Sequence, residues 1–274
     1  MRLAILADCH VSSPNAPDGE ENHAHGLGML ERAVDAIGKL DVDSTIIVGD
    51  LVNMGYEEEY ADAKGVLEPL LEFVTVIPGN HEMVKGNRER FVKHFGEPVG
   101  RLPLGEVFGL TLNTAQESMD SRLWFGELDA ASKDEVKKVG HREPLLVFLH
   151  HPFENTVRSA PYPMMYQINH QHDCERLIYR GAPTVVFTGH AHRADLRRIG
   201  NCTFVGCPPL CFWPHAFLIA DLDETHLHVR THRLVEDVAD SPDPKTREGE
   251  RHLTAEQYIA DCEPPVPSFS IRVR

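Results

Sequence analysis

Five times along this chain a short apolar run stops and ligand-type side chains follow at once. Leu3-Ala4-Ile5-Leu6-Ala7 leads into Asp8-Cys9-His10, and Thr45-Ile46-Ile47-Val48 into Gly49-Asp50. Val74-Thr75-Val76-Ile77-Pro78 leads into Gly79-Asn80-His81-Glu82, and Leu145-Leu146-Val147-Phe148-Leu149 into His150-His151. The fifth run, Thr184-Val185-Val186-Phe187-Thr188, ends in Gly189-His190-Ala191-His192. Runs this short, apolar throughout and bounded by turn residues, are those of strands buried on both faces. In open α/β sheets ligands gather at the carboxyl ends of such strands. The pattern restricts the fold to the α/β class and places a site where the five ends meet.

Between the runs the apolar spacing turns helical. Leu27, Leu30, Val34 and Ile37 predict a helix over 27–39. Further helices are expected over 56–71, up to Phe95, over 127–138 and over 172–181, and a further strand over 106–112. The glutamates Glu57, Glu58 and Glu59 read as a solvated helix start, favoured by the positive helix end, not as a metal site. Asp8 and His10, two apart, are expected to share one face of an extended strand, with Cys9 turned away. The stretch from Pro152 to His170 is long and irregular, and its place after a ligand-bearing strand suggests a lid facing substrate. After His192, segments near 202–206, 216–221 and 225–233 alternate without long helices between them, which predicts antiparallel strands of a second sheet. Residues 1–235 are read as one domain. Residues 236–274, charged and proline-containing, are read as an extension packing on the body or on a second subunit, with a short helix near 254–261.

Composition narrows the function classes. With 274 residues, 42% hydrophobic and 25% charged, the chain has enough apolar material for a sizeable core. No apolar run approaches the roughly 20 residues of a membrane helix. Met1-Arg2-Leu3 enters a strand with no signal-peptide pattern, so the expected location is the cytoplasm. Forty-two acidic residues against 27 basic ones leave a net charge of −15, which disfavours nucleic acid and anionic membranes as partners. A phosphate substrate stays admissible, since bound cations invert a local field. The six cysteines include no Cys-x-x-Cys pair and match no standard zinc spacing, so reduced, buried thiols are expected.

Together the strand ends offer two carboxylates (Asp8, Asp50), one amide (Asn80) and four imidazoles (His10, His150, His190, His192). Seven ligands exceed what one tetrahedral zinc uses, and the mixed oxygen and nitrogen set suits Mn, Fe or Zn. A carboxylate can bridge two ions, so two divalent cations are the natural reading. Ions roughly 3.5–4 Å apart clamp a phosphoryl group and generate a hydroxide nucleophile near neutral pH. Burying so many polar groups without a cation would be costly.

Asp8-x-His10, Gly49-Asp50, Gly79-Asn80-His81-Glu82, His150 and Gly189-His190-x-His192 resemble, in order and residue type, the motif series of the calcineurin-like metallophosphoesterases. The resemblance covers roughly residues 1–230. It implies a four-layer α/β/β/α sandwich of two mixed β-sheets. It implies one cation held by Asp8, His10, Asp50 and His192, and a second by Asp50, Asn80, His150 and His190. It makes His81 the non-ligand histidine that serves the leaving alkoxide and Glu82 the acid that orients it. His150 is the expected ligand and His151 its neighbour, although the two could trade places. Gly49-Asp50-Leu51-Val52-Asn53, His150-His151-Pro152-Phe153 and Gly189-His190-Ala191-His192-Arg193 are similar to class III cyclic nucleotide phosphodiesterases and related small-diester hydrolases. The implied activity is hydrolysis of a small phosphodiester, of cyclic nucleotide or glycerophosphodiester type, by a metal-bridged hydroxide. Arg193 and Tyr166 are candidate substrate contacts. The alternatives are a phosphomonoesterase or nucleotide pyrophosphatase, or a non-catalytic metal-binding scaffold.

Overall fold

The apolar strands show no alternation because each is covered on both faces. The computed structural model describes residues 1–16, 25–84, 87–105, 107–117, 125–153, 156, 168, 171–243 and 268–273. The strands are β1 (Arg2–Leu6), β2 (Ser44–Val48), β3 (Val74–Ile77), β4 (Gly100–Leu104), β5 (Val107–Thr111), β6 (Leu145–Phe148), β7 (Thr184–Thr188), β8 (Asp195–Ile199), β9 (Cys202–Gly206), β10 (Ala216–Leu222), β11 (His226–Arg233) and β12 (Ser268–Arg272). The helices are α1 (Gly26–Ile37), α2 (Glu57–Leu67), α3 (Arg88–Phe95), α4 (Ala130–Lys138) and α5 (Glu175–Ile178).

Two six-stranded sheets form, in the orders β12-β11-β10-β1-β2-β3 and β4-β5-β6-β7-β9-β8. Strands β1, β2 and β3 run parallel, as do β5, β6, β7 and β9. The other neighbours are antiparallel. Three apolar cores separate four layers. In the first, Met29, Leu30 and Ala33 of α1 and Tyr60, Ala63 and Leu67 of α2 meet Ala4, Leu6 and Ile47. In the second, between the sheets, Leu3, Ile5 and Val48 meet Leu146, Phe148, Val185 and Phe187. In the third, Val147 and Val186 meet Val136 of α4 and Leu177 of α5. Adjacent residues of one strand thus feed different cores. Each such buried side chain contributes about 1.5–3 kcal/mol relative to exposure.

The late strands differ from expectation. β9 runs parallel to β7 in the second sheet, whereas β10 and β11 join the first sheet beside β1. Alternation identifies a strand but not its sheet. Three strands escaped the apolar criterion, and all lie at sheet edges: β4, which contains Pro103, the charged β8, and β12, which pairs with β11. Edges tolerate proline and charge because one row of backbone groups needs no strand partner. Two expected helices are shorter than their periodicity. α2 tightens into a 3-10 turn at Glu68–Leu70, and Gln171–Cys174 is a 3-10 turn ahead of the single-turn α5. The expected lid and the helix near 254–261 fall largely or wholly outside the described residues.

Candidate metal centre

All five ligand-bearing strands deliver to one end of the sandwich, β1, β2 and β3 from the first sheet and β6 and β7 from the second. The loops after β1 and β2 run together: the N–H of Asp8 donates to Gly49 O at 3.1 Å, and that of His10 to Asp50 O at 2.9 Å. Asp8 and His10 do not share a face through strand alternation, since β1 ends at Leu6. They converge because both adopt left-handed backbone, with φ of 53° and 45°. Asp50, His190 and His192 do the same, with φ of 52°, 67° and 50°. Such conformations cost non-glycine residues about 1–3 kcal/mol each and persist where the surroundings over-determine them, typically at functional sites. Gly49 is required in its own right. Its φ is +94°, and a Cβ there would lie 2.2 Å from His150 Nδ1.

Asp8, His10, Asp50 and His192 bring one ligand atom each within 4.8 Å of one another. Asp8, His10 and Asp50 are buried, and His192 stands at the rim. On the other side of Asp50 lie His150 and His190. His150 Nε2 is 3.2 Å from Asp50 Oδ2 and 3.3 Å from Asn80 Oδ1. His150 Nδ1 donates to Val48 O at 2.8 Å, which turns Nε2 towards the carboxylate. The His190 N–H donates to Asp8 Oδ1 at 2.8 Å, a bond from the second sheet to the first. His151, expected only as a neighbour, also brings a ring nitrogen within 4.8 Å of His150 and His190.

Charge in this cluster is unbalanced. Burial, with Asp50 nearby, pushes the Asp8 carboxyl up to about 8. Burial would raise Asp50 too, but His150, His81 and His10 around it hold it well below the usual carboxylate range. His150, despite burial, is lifted to about 9 by Asp50. Asp8 Oδ2 is buried without a hydrogen-bond partner. A fully buried carboxylate oxygen left unpaired is costly, and a divalent cation relieves both that cost and the repulsion between Asp8 and Asp50. The donor set fits divalent metal.

Glu82 does not orient His81, contrary to the expectation. It is fully buried, and its carboxylate accepts the backbone N–H groups of Asp50 (2.9 Å), Val52 (2.8 Å) and Gly79 (2.6 Å). It ties the loops after β2 and β3 together. Burial, with Asp50 close by, pushes its carboxyl up to about 7. His81 is oriented instead by Asn53, whose carbonyl takes the Nδ1–H, while its own N–H donates to Asp50 Oδ1 at 3.1 Å. The His81 ring meets His10 edge-on at 4.6 Å between centroids.

Two elements of the site escaped sequence reading. The segment 207–215 closes one wall: the N–H groups of Leu210 and Cys211 donate to Ala7 O and Asp8 O, and Phe212 lies 4.6 Å from His192 and 5.6 Å from His10. Its signal was the proline-rich Cys207-Pro208-Pro209 directly after a buried strand. The other is Thr114, bonded to His151 at 2.9 Å. Cys9, between two ligand positions, is fully buried, and burial with Asp8 beside it pushes its thiol well above the ordinary range. It behaves as a structural residue. Glu59 is buried rather than solvated and caps the loop before α2 through the N–H groups of Met54 and Tyr56. Arg193 is buried next to His192, and Tyr166 lies outside the described residues. Among the described residues, no helix is long and apolar enough to cross a membrane.

The calcineurin-like phosphoesterase profile matches residues 1–194. A protein named as a probable cyclic nucleotide phosphodiesterase from Vesicomyosocius okutanii subsp. Calyptogena okutanii is 23% identical over 221 residues, 75% of this chain and 84% of the relative. The glycerophosphodiester phosphodiesterase GpdQ of Enterobacter lignolyticus is 24% identical over 222 residues, 76% of this chain and 77% of the relative. The crystal structure of a dimetal phosphatase from Danio rerio superposes with a TM-score of 0.67 at 15% identity, covering 86% of this chain and 97% of that one, and shares the fold. Profile, fold and ligand constellation agree: the chain belongs to the calcineurin-like phosphoesterase family and is a metal-dependent phosphoester hydrolase.

Proposed function

We propose that this chain is a two-cation phosphodiesterase acting on a small diester of cyclic nucleotide or glycerophosphodiester type. The observation that carries the reading is the place of Asp50. Its Oδ2 stands 3.8 Å from His10 Nε2 and 3.2 Å from His150 Nε2, between two ligand groups, as a bridging carboxylate must. Asp8, His10, Asp50 and His192 would hold one cation, and Asp50, Asn80, His150 and His190 the other. The mixed donors suit Mn, Fe or Zn.

When bound, the cations supply an activated water and the positive charge that stabilises the transition state. The chain's own residues do the rest. Asn53 O fixes the proton of His81 on Nδ1, so Nε2 is the nitrogen that exchanges a proton. In its protonated form His81 can deliver that proton to the leaving alkoxide. Arg193, beside His192, and Tyr166 are the candidate phosphate and pocket contacts. The diester reading draws support from the names of the relatives, both of which denote diesterases.

The test compares hydrolysis of a chromogenic phosphodiester with that of the matching monoester, with Mn²⁺ and with chelator. A diester preference abolished by chelator is expected. A monoester preference would move the protein to the phosphatase reading. Turnover that survives complete metal removal would overturn both.

A further inference from the structure

One peptide unit joins His81 to a carboxylate that the metal centre does not use. The carbonyl of Asn53 accepts the Nδ1–H of His81. The next N–H in the chain, that of Met54, belongs to the same peptide and donates to Glu59 Oε2 at 2.8 Å. A trans peptide is planar, and its C=O and N–H point in opposite directions. A group that fixes the N–H therefore fixes the C=O as well. Glu59 stands at one end of this unit and His81 at the other. A carbonyl can only accept, so Nδ1 donates to it whatever the state of the other ring nitrogen.

Glu59 is itself firmly held. It lies in the first turn of α2, whose Tyr60, Ala63 and Leu67 pack in the first core, and its side chain is buried. Burying a carboxylate is costly unless it is hydrogen-bonded, and Oε2 also accepts the N–H of Tyr56 at 3.1 Å. The loop between is tied on its other sides too. The N–H of Asn53 donates to Val11 O at 3.0 Å, and Arg90 of α3 donates to Gly55 O. A Cβ at Gly55, whose φ is +68°, would lie 3.3 Å from His81 O, so the loop packs directly on the His81 backbone.

We propose that Glu59 is a positioning residue for His81: through the Asn53–Met54 peptide it sets the direction of the imidazole, and with it the nitrogen offered to the leaving group. Its effect on the rate rests on His81 serving the leaving alkoxide, as proposed above. Small errors in the placement of a reacting group are expensive, which is why a residue that touches no substrate can matter to turnover.

The test uses the full chain loaded with Zn²⁺ and a series of methyl aryl phosphodiesters whose leaving phenols differ in acidity. Glu59→Ala is expected to keep its metal content and KM. Its kcat should fall about tenfold for the least acidic phenol and little for the most acidic, because a good leaving group needs no proton. Glu59→Gln, whose amide oxygen can replace Oε2, should restore most of the rate. In a His81→Ala background, Glu59→Ala should cost nothing further. The hydrogen-bonded Nδ1–H of His81, read by proton NMR of the histidine-labelled chain, should shift or vanish in Glu59→Ala and persist in Glu59→Gln. If Glu59→Ala does not fold, Glu59→Asp, which shortens the reach, should show the same pattern. Additive losses in the double variant, or a loss of rate that tracks loss of metal, would overturn the proposal. An unmoved Nδ1–H resonance in a folded Glu59→Ala or Glu59→Asp chain would overturn it as well. Undiminished turnover in His81→Ala would instead bring down the leaving-group reading, and the Nδ1–H resonance would then decide alone whether Glu59 sets the ring.

Discussion

At the scale of single residues, identical chemistry serves different ends according to what surrounds it. Glu82 and His81 are neighbours in a motif, but only His81 remains partly open to the site. His81→Ala should leave metal content intact and lower turnover about a hundredfold or more, the scale of a positioned acid or base. Metal analysis beside steady-state rates checks this, and loss of metal would show His81 to be a ligand. Glu82→Gln should act mainly on stability. An amide nitrogen cannot accept from the backbone, so one or more of the N–H groups of Asp50, Val52 and Gly79 loses its partner, a cost of about 1–3 kcal/mol in urea unfolding of the metal-loaded protein. Unchanged stability with a fall in rate matching His81→Ala would return Glu82 to the orienting role. The seven candidate ligands were legible because cations demand carboxylate, amide and imidazole donors in one place. The partners of Glu82 were not, because backbone N–H groups leave no mark in a sequence.

At the scale of elements, the segment 207–215 links the metal centre to the C-terminal part of the chain. His215 Nδ1 donates to Leu210 O at 3.0 Å, and its Nε2 accepts from Ser241 Oγ at 2.7 Å. Leu210 in turn bonds to Ala7, one residue before Asp8. Burial pushes the His215 imidazole down to about 4. Its folded value lies below its unfolded one, so the fold favours the neutral ring. That stability is full above about pH 6.5 and is lost as pH falls towards 4, because the unfolded chain binds the proton first. The amount at stake is on the order of 3 kcal/mol. His215→Asn should therefore flatten the difference in unfolding free energy between pH 7 and pH 4.5. An equally steep acid limb in the variant would assign the loss to other groups. The histidine was visible in the sequence as one of 17, and nothing near it announced a partner 26 residues away.

At the scale of the whole molecule, the metal centre is where the two sheets are joined by polar bonds, His150 to Val48 and His190 to Asp8. A cation bound there by residues of both sheets should stabilise the whole fold. At a free concentration a hundred times its dissociation constant each ion contributes about 2.7 kcal/mol. Chelation should then lower the melting temperature by roughly 5–10 °C per ion for a chain of this size. A melting temperature indifferent to chelator would argue against cations spanning the sheets. The sequence by itself determined that β1, β2, β3, β6 and β7 are strands buried on both faces, and that their ends carry metal-type donors. Both facts follow from local composition, since burial on two faces excludes polar residues and coordination requires them. Only the tertiary structure decided which strands share a sheet, that β9 lies beside β7 while β10 lies beside β1, and that β12 closes an edge. It alone decided how Asp8 and His10 converge, through left-handed backbone rather than strand alternation, and that His150 Nδ1 faces the Val48 carbonyl. Those choices depend on pairing and hydrogen bonds between residues far apart in the chain, and no local pattern of side chains encodes them.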